Sequence, residues 1–243
     1  MKRKITIPLL IGAMVLVLSF TSCNRWLDKG DETFVTWATL TIDPPMLGLP
    51  DLPYYFITDD TLVLCPMNHK TISQEFKPTE GQRLILYFSA KKGSDEGAGT
   101  SSAEVKHYID IVQILLVVTK DIVYSDKTDT LGTDKVDAQH IWVTGGVFGT
   151  KHYLNMQLFM PAMEPTNHTF DLSYDITEES SLEDGYYPLE LHHNGRQDPP
   201  FVDYTTRVSF ILEGDCRAEG VKGLKIKVNT INQGVKVYTI DYY

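Results

Sequence analysis

The chain has 243 residues, of which 42% are hydrophobic, and its 32 acidic side chains outnumber its 22 basic ones. The formal net charge of −10 at pH 7 argues against nucleic acid as a partner, because the phosphate backbone repels a polyanion. The length allows one large domain or two smaller ones.

The first residues have the layout of a bacterial secretory signal. Three basic residues, Lys2 to Lys4, precede an apolar run from Ile5 to Leu18, which is too short to span a bilayer permanently. Thr21-Ser22 then lead into Cys23, as in a lipobox, although Phe20 stands where Leu or Val is usual. We therefore predict acylation of Cys23. The alternative is an ordinary secretory signal with an incidental cysteine.

Processing at this site divides the N-terminus into two segments. Residues 1–22 are the predicted lipoprotein signal peptide, and residues 23–32 are the anchor and tether. Several acyl chains hold a protein stably on a bilayer, so we expect a lipid-anchored envelope protein. Removal of Lys2 to Lys4 takes the net charge from −10 to −13. Asn24 is not the acidic residue that retains some lipoproteins in the inner membrane, which favours the outer membrane and leaves its face open.

Period-two alternation of apolar and polar residues recurs through the N-terminal half and favours β-strands over helices. In the first strand Trp37 lies on the less apolar face, opposite Ala38 and Leu40. The predicted strands are 34–42, 54–57, 61–65, 84–89 and 105–118, with a hairpin at Asp59-Asp60 and a polar tip at 91–102. Five strands predict a barrel of the oligonucleotide/oligosaccharide-binding (OB) type over residues 33–125, and an open meander is the alternative.

A polar stretch at residues 125–135 has the composition of a linker. Beyond it, alternation restarts in strands at 140–144, 148–160, 170–174, 186–193, 204–212, 224–228 and 235–240. Short strands separated by turns predict an antiparallel β-sandwich over residues 126–243. Within it we expect Leu154, Met156 and Leu158 to be buried, whereas Asn155 and Gln157 face water or the opposite layer.

Two cysteines remain once Cys23 is acylated. An oxidising envelope would permit a disulfide between Cys65 and Cys216. They fall in different predicted domains, however, and isolated cysteines often behave as small buried hydrophobes. Both interpretations stay open.

Several segments resemble the family of NigD-like lipoproteins. The matching segments are Tyr55–Asp60 and Gly81–Ile85 in the N-terminal half, and Ile141–Gly146, Leu154–Gln157, Leu189–Asn194 and Val221–Thr230 in the C-terminal half. The resemblance implies an OB-type barrel joined to a β-sandwich. It also implies a role in bacteriocin immunity, a label taken from a founding member encoded beside a toxin. It supplies no catalytic residue.

The histidines suggest a metal site. Glu190 and His192 share a strand face, and a distant third ligand would complete a zinc site, but His192 and His193 point to opposite faces. The usual ligand spacing is absent. The alternative places His193 at the edge of the core and His192 in solvent, and we predict no metal and no cofactor.

No catalytic motif is present: the chain has no Gly-x-Ser-x-Gly, no His-Glu-x-x-His and no phosphate loop. Acidic pairs such as Asp59-Asp60 and Glu183-Asp184 suit turns better than a two-carboxylate site. Among the aromatic residues, Trp37 is the candidate for a ligand-facing ring. An acidic domain excludes a nucleic-acid platform but not sugar stacking.

These observations predict a non-enzymatic envelope protein, anchored to the bilayer through Cys23, that binds a cationic peptide or protein and neutralises a toxin. The acidic charge supports this prediction, since it speeds the capture of cationic partners. The alternative is a structural or glycan-binding accessory of an outer-membrane complex. A hydrolase without a recognisable motif is the third possibility.

Overall fold

A computed structural model describes residues 32–42, 51–72, 76–91, 106–177 and 182–242 of the chain. The predicted signal peptide, the predicted acylation site Cys23 and the predicted tether up to residue 31 lie outside this part. Within it, strands predominate, and the helical segments are short 3-10 turns. None of the described helices has the length and apolar character that crossing a membrane requires.

The N-terminal domain is a closed five-stranded barrel. Its strands are β1 (Thr33–Thr41), β2 (Tyr55–Thr58), β3 (Val63–Pro66), β4 (Arg83–Ala90) and β5 (Lys106–Leu116). They follow the order β1-β2-β3-β5-β4, and β3 and β5 form the parallel pair. Alternation on β1 buries Ala38 and Leu40 in the barrel and leaves Val35 exposed. The barrel predicted for this half is confirmed.

The C-terminal domain is a two-sheet sandwich. Its strands are β6 (Val118–Asp121), β7 (Val123–Ser125), β8 (Asp137–Gly145), β9 (His152–Ala162), β10 (Thr169–Asp175), β11 (Tyr186–Asn194), β12 (Val202–Leu212), β13 (Gly223–Thr230) and β14 (Gly234–Asp241). One sheet has the order β14-β13-β11-β10-β7 and the other β6-β12-β9-β8. The pairs β6–β12, β7–β10 and β11–β13 are parallel, so these sheets are mixed where only antiparallel pairing was expected.

The domain boundary lies earlier than the predicted position between residues 125 and 126. The chain leaves the barrel at Leu116 and enters the sandwich at Val118, where β6 pairs with β12, and β7 then joins the other sheet. The polar stretch that suggested a linker connects β7 to β8 inside the sandwich. The amides of Asp134 and Val136 donate to the carbonyls of His193 and Asn229, respectively. The polar residues of this segment belong to a loop that crosses from one sheet of the sandwich to the other.

The sandwich core contains the predicted residues of β9. Leu154, Met156 and Leu158 are buried against the facing sheet. Asn155 is equally buried, although it points away from that core, because the barrel covers the outer face of β9. Gln157, further along the strand, is only partly buried. Asn155 therefore faces away from the core, as predicted, and the layer that it meets is the barrel and not water.

Cys65 and Cys216 are both unpaired and buried. Cys65 packs in the barrel beside Tyr55 and Val63, and Cys216 belongs to the sandwich core. Burial raises the pKa of each thiol to about 11, which keeps both protonated at neutral pH. Their interpretation as small buried hydrophobes is confirmed, and the disulfide is excluded.

Candidate functional site

A buried arginine lies between the two domains. Arg83, the first residue of β4, is only 1% exposed. Its Nη2 lies 2.8 Å from Oδ1 of Asp59 and 3.0 Å from Oδ2. Nη1 donates to Thr39 Oγ1 at 3.0 Å, and Nε donates across the junction to Asn155 Oδ1 at 3.2 Å. Burial lowers the pKa of Arg83, and the Asp59 carboxylate opposes this effect.

Aromatic rings enclose this guanidinium. Its central carbon lies 5.5 Å from the ring centre of Trp37 and 5.3 Å from that of Tyr153, within the range of cation–π attraction. The rings of Trp142 and Trp37 are perpendicular, with their centres 4.9 Å apart. Trp142 Nε1 donates to Asp59 Oδ2 at 3.1 Å. Trp37 and Asp59 come from the barrel, whereas Trp142 and Tyr153 come from the sandwich. The cluster therefore ties the domains together.

Trp37, the sequence candidate for a ligand-facing ring, lies within this cluster. It is half-buried, and its described neighbours are the guanidinium of Arg83 and the indole of Trp142. A role for Trp37 in ligand binding stays a prediction. One feature of the sequence indicated that Arg83 is unusual. It begins a strand whose next three residues, Leu84 to Leu86, are all apolar and buried, so a charged residue is unexpected there.

A cleft of about 320 Å³ adjoins the junction and is lined by both domains. The barrel contributes Thr39, Thr58 and Asp59, and the sandwich contributes Thr144, His152 and Arg217. Asp59, with a side chain 21% exposed, is the carboxylate in this lining, and it is already paired with Arg83. The cleft thus offers hydroxyl groups, one guanidinium and one imidazole to a ligand.

The cation of the cleft is held by an aromatic ring and a histidine. Arg217 stacks over Tyr242 with its central carbon 4.0 Å from the ring centre, and Nη2 donates to His152 Nε2 at 3.1 Å. Burial lowers the pKa of His152, and the neighbouring Arg217 lowers it further. The imidazole is therefore neutral at neutral pH and acts as a hydrogen-bond acceptor for the guanidinium.

Two glycines at the end of β8, Gly145 within the strand and Gly146 directly after it, lie against His152 and the residue before it. Gly145 and Gly146 have φ angles of +91° and +74°, which other residues rarely adopt. A Cβ on Gly145 would lie 2.0 Å from the carbonyl oxygen of Lys151, and one on Gly146 would lie 2.0 Å from His152 Nε2. The Gly145-Gly146 pair thus lets the turn pack closely against the imidazole at the cleft wall.

The histidine pair of β11 does not form a metal site. His192 Nε2 lies 2.8 Å from Ser173 Oγ and its Nδ1 lies 3.0 Å from the carbonyl oxygen of Gly132, so the prediction of a solvated His192 is wrong. His193 lies 3.0 Å from the carbonyl oxygen of Lys135, and burial lowers its pKa. Across the described residues, no group of three potential ligands is suitably placed for a metal ion. His193 is the tethered core-edge residue that was expected.

Comparisons with known proteins extend these findings. A family model described as the NigD-like C-terminal beta sandwich domain matches residues 118–242. This match begins at the first residue of β6, where the structure places the start of the sandwich. A search among curated proteins finds no match.

Solved structures share the two-domain fold. A candidate toxin-related protein from Parabacteroides distasonis is 24% identical, with a TM-score of 0.62 over 87% of this chain and 93% of that chain. A candidate lipoprotein from Bacteroides fragilis is 12% identical, with a TM-score of 0.58 over 87% of this chain and 99% of that chain. A NigD-like immunity protein from Bacteroides caccae is 19% identical, with a TM-score of 0.55 over 86% and 90%, respectively. At these identities the likeness shows the fold alone. The family model, by contrast, matches just over half of the sequence, and the chain therefore belongs to the NigD-like family.

Proposed function

We propose that this protein is a lipid-anchored, non-enzymatic envelope protein that binds a cationic peptide or protein toxin and confers immunity to it. Membership of the NigD-like family supports this role, as does the fold shared with a protein described as a NigD-like immunity protein. Because a fold does not specify a function, the remaining support comes from the contacts and charge of this chain.

The non-enzymatic part of the proposal depends on one observation: the charged groups between the domains bind each other. Asp59 is paired with Arg83, and Arg217 is held by Tyr242 and His152. General acid–base catalysis requires a titratable group that can reach a proton of the substrate. A two-carboxylate hydrolase would also require a partner for Asp59 across the cleft, and the described lining contains none. The geometry favours a rigid binding body.

The charge of the chain supports a cationic partner. Without Lys2 to Lys4 the net charge is −13. An acidic surface attracts cationic partners before contact, so it raises the association rate more than it slows dissociation. We expect association with a cationic bacteriocin to slow steeply between low and physiological salt, while the dissociation rate changes little. Surface plasmon resonance at several salt concentrations measures both rates.

Anchoring at Cys23 places this binding body where a toxin first reaches the cell. A sensitive strain that expresses the wild-type protein is expected to tolerate a cationic bacteriocin that kills the parent strain. The Cys23→Ala form is expected to lose fatty-acid labelling and to protect less at equal expression. Unchanged sensitivity to a panel of cationic bacteriocins, with correctly anchored protein, would refute the immunity role.

A glycan-binding accessory role is the second candidate, and the hydroxyl-rich cleft favours it. Thr39, Thr58 and Thr144 line the cleft together with Arg217, and such polar groups orient sugars by hydrogen bonds. Titration with oligosaccharides, followed by tryptophan fluorescence, distinguishes the two roles, because Trp142 donates to Asp59 in the lining of the cleft. Saturable binding of a sugar in the absence of toxin protection would favour the accessory role.

A further inference from the structure

A second groove, of about 300 Å³, is lined by residues of the sandwich alone. Three adjacent strands of the five-stranded sheet supply its aromatic wall: Tyr124 on β7, Tyr174 on β10 and Tyr187 on β11. Tyr124 and Tyr174 are directly paired in register, with ring centres 5.8 Å apart. Tyr174 and Tyr187 stack at 4.8 Å with an interplanar angle of 25°. We call this feature the tyrosine groove.

The opposite wall of the tyrosine groove is acidic. Asp215 and Glu219, from the segment after β12, line it together with Ala218 and Val221. None of the described lining residues is basic, and within the described chain neither carboxylate forms an ion pair. The groove therefore combines π faces, which attract cations, with two carboxylates that lack an internal counter-charge.

The groove also contains a polar atom without a partner. Tyr174 is only 7% exposed, yet its hydroxyl has no hydrogen-bond partner. Hydrogen bonding to Tyr124, by contrast, contributes to the raised pKa of Tyr187, although burial is the larger cause. Buried hydroxyl groups are almost always hydrogen-bonded in native proteins. This hydroxyl is buried beneath the surface of the groove, so a ligand that supplies its missing donor or acceptor has to displace the side chains that cover it.

Exposed apolar side chains flank the entrance. Ile176 and Leu182 are 56% and 40% exposed and line the groove, and Tyr124 is 47% exposed. An alkyl chain with a cationic end matches this arrangement, because its methylenes cover apolar surface while its charge reaches the carboxylates. The side chain of lysine has this chemistry.

We propose that the tyrosine groove binds a lysine side chain of a partner peptide or protein. The ammonium group donates to the Tyr174 hydroxyl and to the carboxylates of Asp215 and Glu219, and the methylenes pack against Tyr124, Ile176 and Leu182. The inference deepens the proposed function, on which its biological meaning rests, since it specifies which chemical group of a cationic toxin this protein recognises.

Small probes test the groove without a toxin. Nα-acetyl-lysine N-methylamide is titrated into the isotope-labelled full chain, and Nα-acetyl-norleucine N-methylamide serves as the neutral control of similar shape. We expect saturable amide shifts at residues of the groove with the lysine probe and much weaker shifts with the norleucine probe. Equal binding of both probes, or binding of neither, would overturn the proposal.

Substitutions identify the contacts. Tyr174→Phe removes only the hydroxyl, and Asp215→Asn and Glu219→Gln each remove one negative charge. Each change should weaken the lysine probe by roughly three- to fivefold, the factor expected for one modest polar or cation–π contact. The matched controls are Tyr204→Phe and Asp203→Asn, at the exposed start of β12. Because Glu219 is exposed, its variant tests the proposal even if a buried substitution perturbs folding. Equal affinities for groove and control variants would refute the site.

The toxin assay separates the two proposals. If the lysine probe binds but the wild-type protein never protects cells, the groove stands and the immunity role fails. If the wild type protects and Tyr174→Phe and Glu219→Gln protect equally well, the immunity role stands, and the groove is not where the toxin binds. We expect both variants to protect less than their controls.

Discussion

The domain junction and the tyrosine groove use the same kinds of side chain in opposite ways. At the junction, Arg83 meets a carboxylate, a hydroxyl and an amide oxygen, and aromatic rings cover its faces. In the groove, three tyrosine rings and two carboxylates face an open space that contains no internal cation, and the Tyr174 hydroxyl has no partner.

This difference separates structural from binding polar clusters. At the junction the ions pair with each other and have little charge left to offer a ligand, although Asn155 Nδ2 lacks a hydrogen-bond partner there. A cluster with unpaired acids and an orphan hydroxyl is stabilised further when a complementary group arrives. The charged cluster around Arg83 and Asp59 is therefore assigned to holding the domains together. The tyrosine groove is assigned to binding a partner.

The largest expected effect is at the junction. Arg83→Met leaves Asp59 without its counter-charge and removes the bond to Asn155, so the free energy of unfolding should fall by about 3–5 kcal/mol. Chemical denaturation of this variant and of Arg207→Met, which changes an exposed arginine on β12, measures the difference. A loss no larger than that of the control would show that the junction is not held by this residue.

Neighbouring residues on β9 test the two faces of the strand. Leu154→Ala creates a cavity in the sandwich core and should cost about 2–5 kcal/mol. Asn155→Ala removes the acceptor of Arg83 Nε and of Ser209 Oγ, which is expected to cost about 1–3 kcal/mol. Gln157→Ala, further along the same face but partly exposed, is the control. If Asn155→Ala were as harmless as the control, the barrel would not cover this face in solution.

A pair of hydroxyl deletions compares the two regions directly. Tyr153→Phe removes a buried bond from the hydroxyl to the carbonyl oxygen of Gly81, at 3.0 Å, and should cost about 0.5–1.5 kcal/mol. Tyr174→Phe removes an unpartnered hydroxyl and should leave stability unchanged or slightly raised. Thermal unfolding in the absence of ligand measures both. A marked loss for Tyr174→Phe would mean that its hydroxyl already has a partner within the protein.

The smallest effect concerns pH. Burial and Arg217 lower the pKa of His152 in the folded state, so the unfolded chain binds the proton more readily near its ordinary pKa of about 6.5. The stability due to neutral His152 is therefore fully present above that pH and is lost as the pH falls below it. Unfolding at pH 7.5 and pH 5.5 should show a smaller pH dependence for His152→Gln than for wild type. Identical pH dependences would contradict the assignment.

The candidate sites were only partly predictable from the sequence. The signal for Arg83 was its position at the head of an apolar strand, but its partner Asn155 lies 72 positions away, and no local pattern joins them. The acidic pair at Asp59-Asp60 suggested a turn, and the turn is present, although Asp59 is also the counter-ion of Arg83. The tyrosine groove had no sequence signal, because Tyr124, Tyr174 and Tyr187 occupy separate strands that only the sheet brings together.

The sequence by itself determined the strands other than β6 and β7, the core-facing residues of β1 and β9 and the two-domain all-β class. Alternation is a local property, because successive side chains of a strand point to opposite faces wherever the strand is placed. Tertiary structure decided what covers each face, since the barrel buries Asn155 on the outer face of β9. It also decided that residues 118–125 pair with strands of the two sandwich sheets. It also decided which charges are neutralised, since pairing depends on distances between strands remote in sequence. The sequence therefore specified which residues form the junction and the groove. Packing between the domains gave the charged groups of the junction their partners, whereas packing between strands left the tyrosine groove open to a ligand.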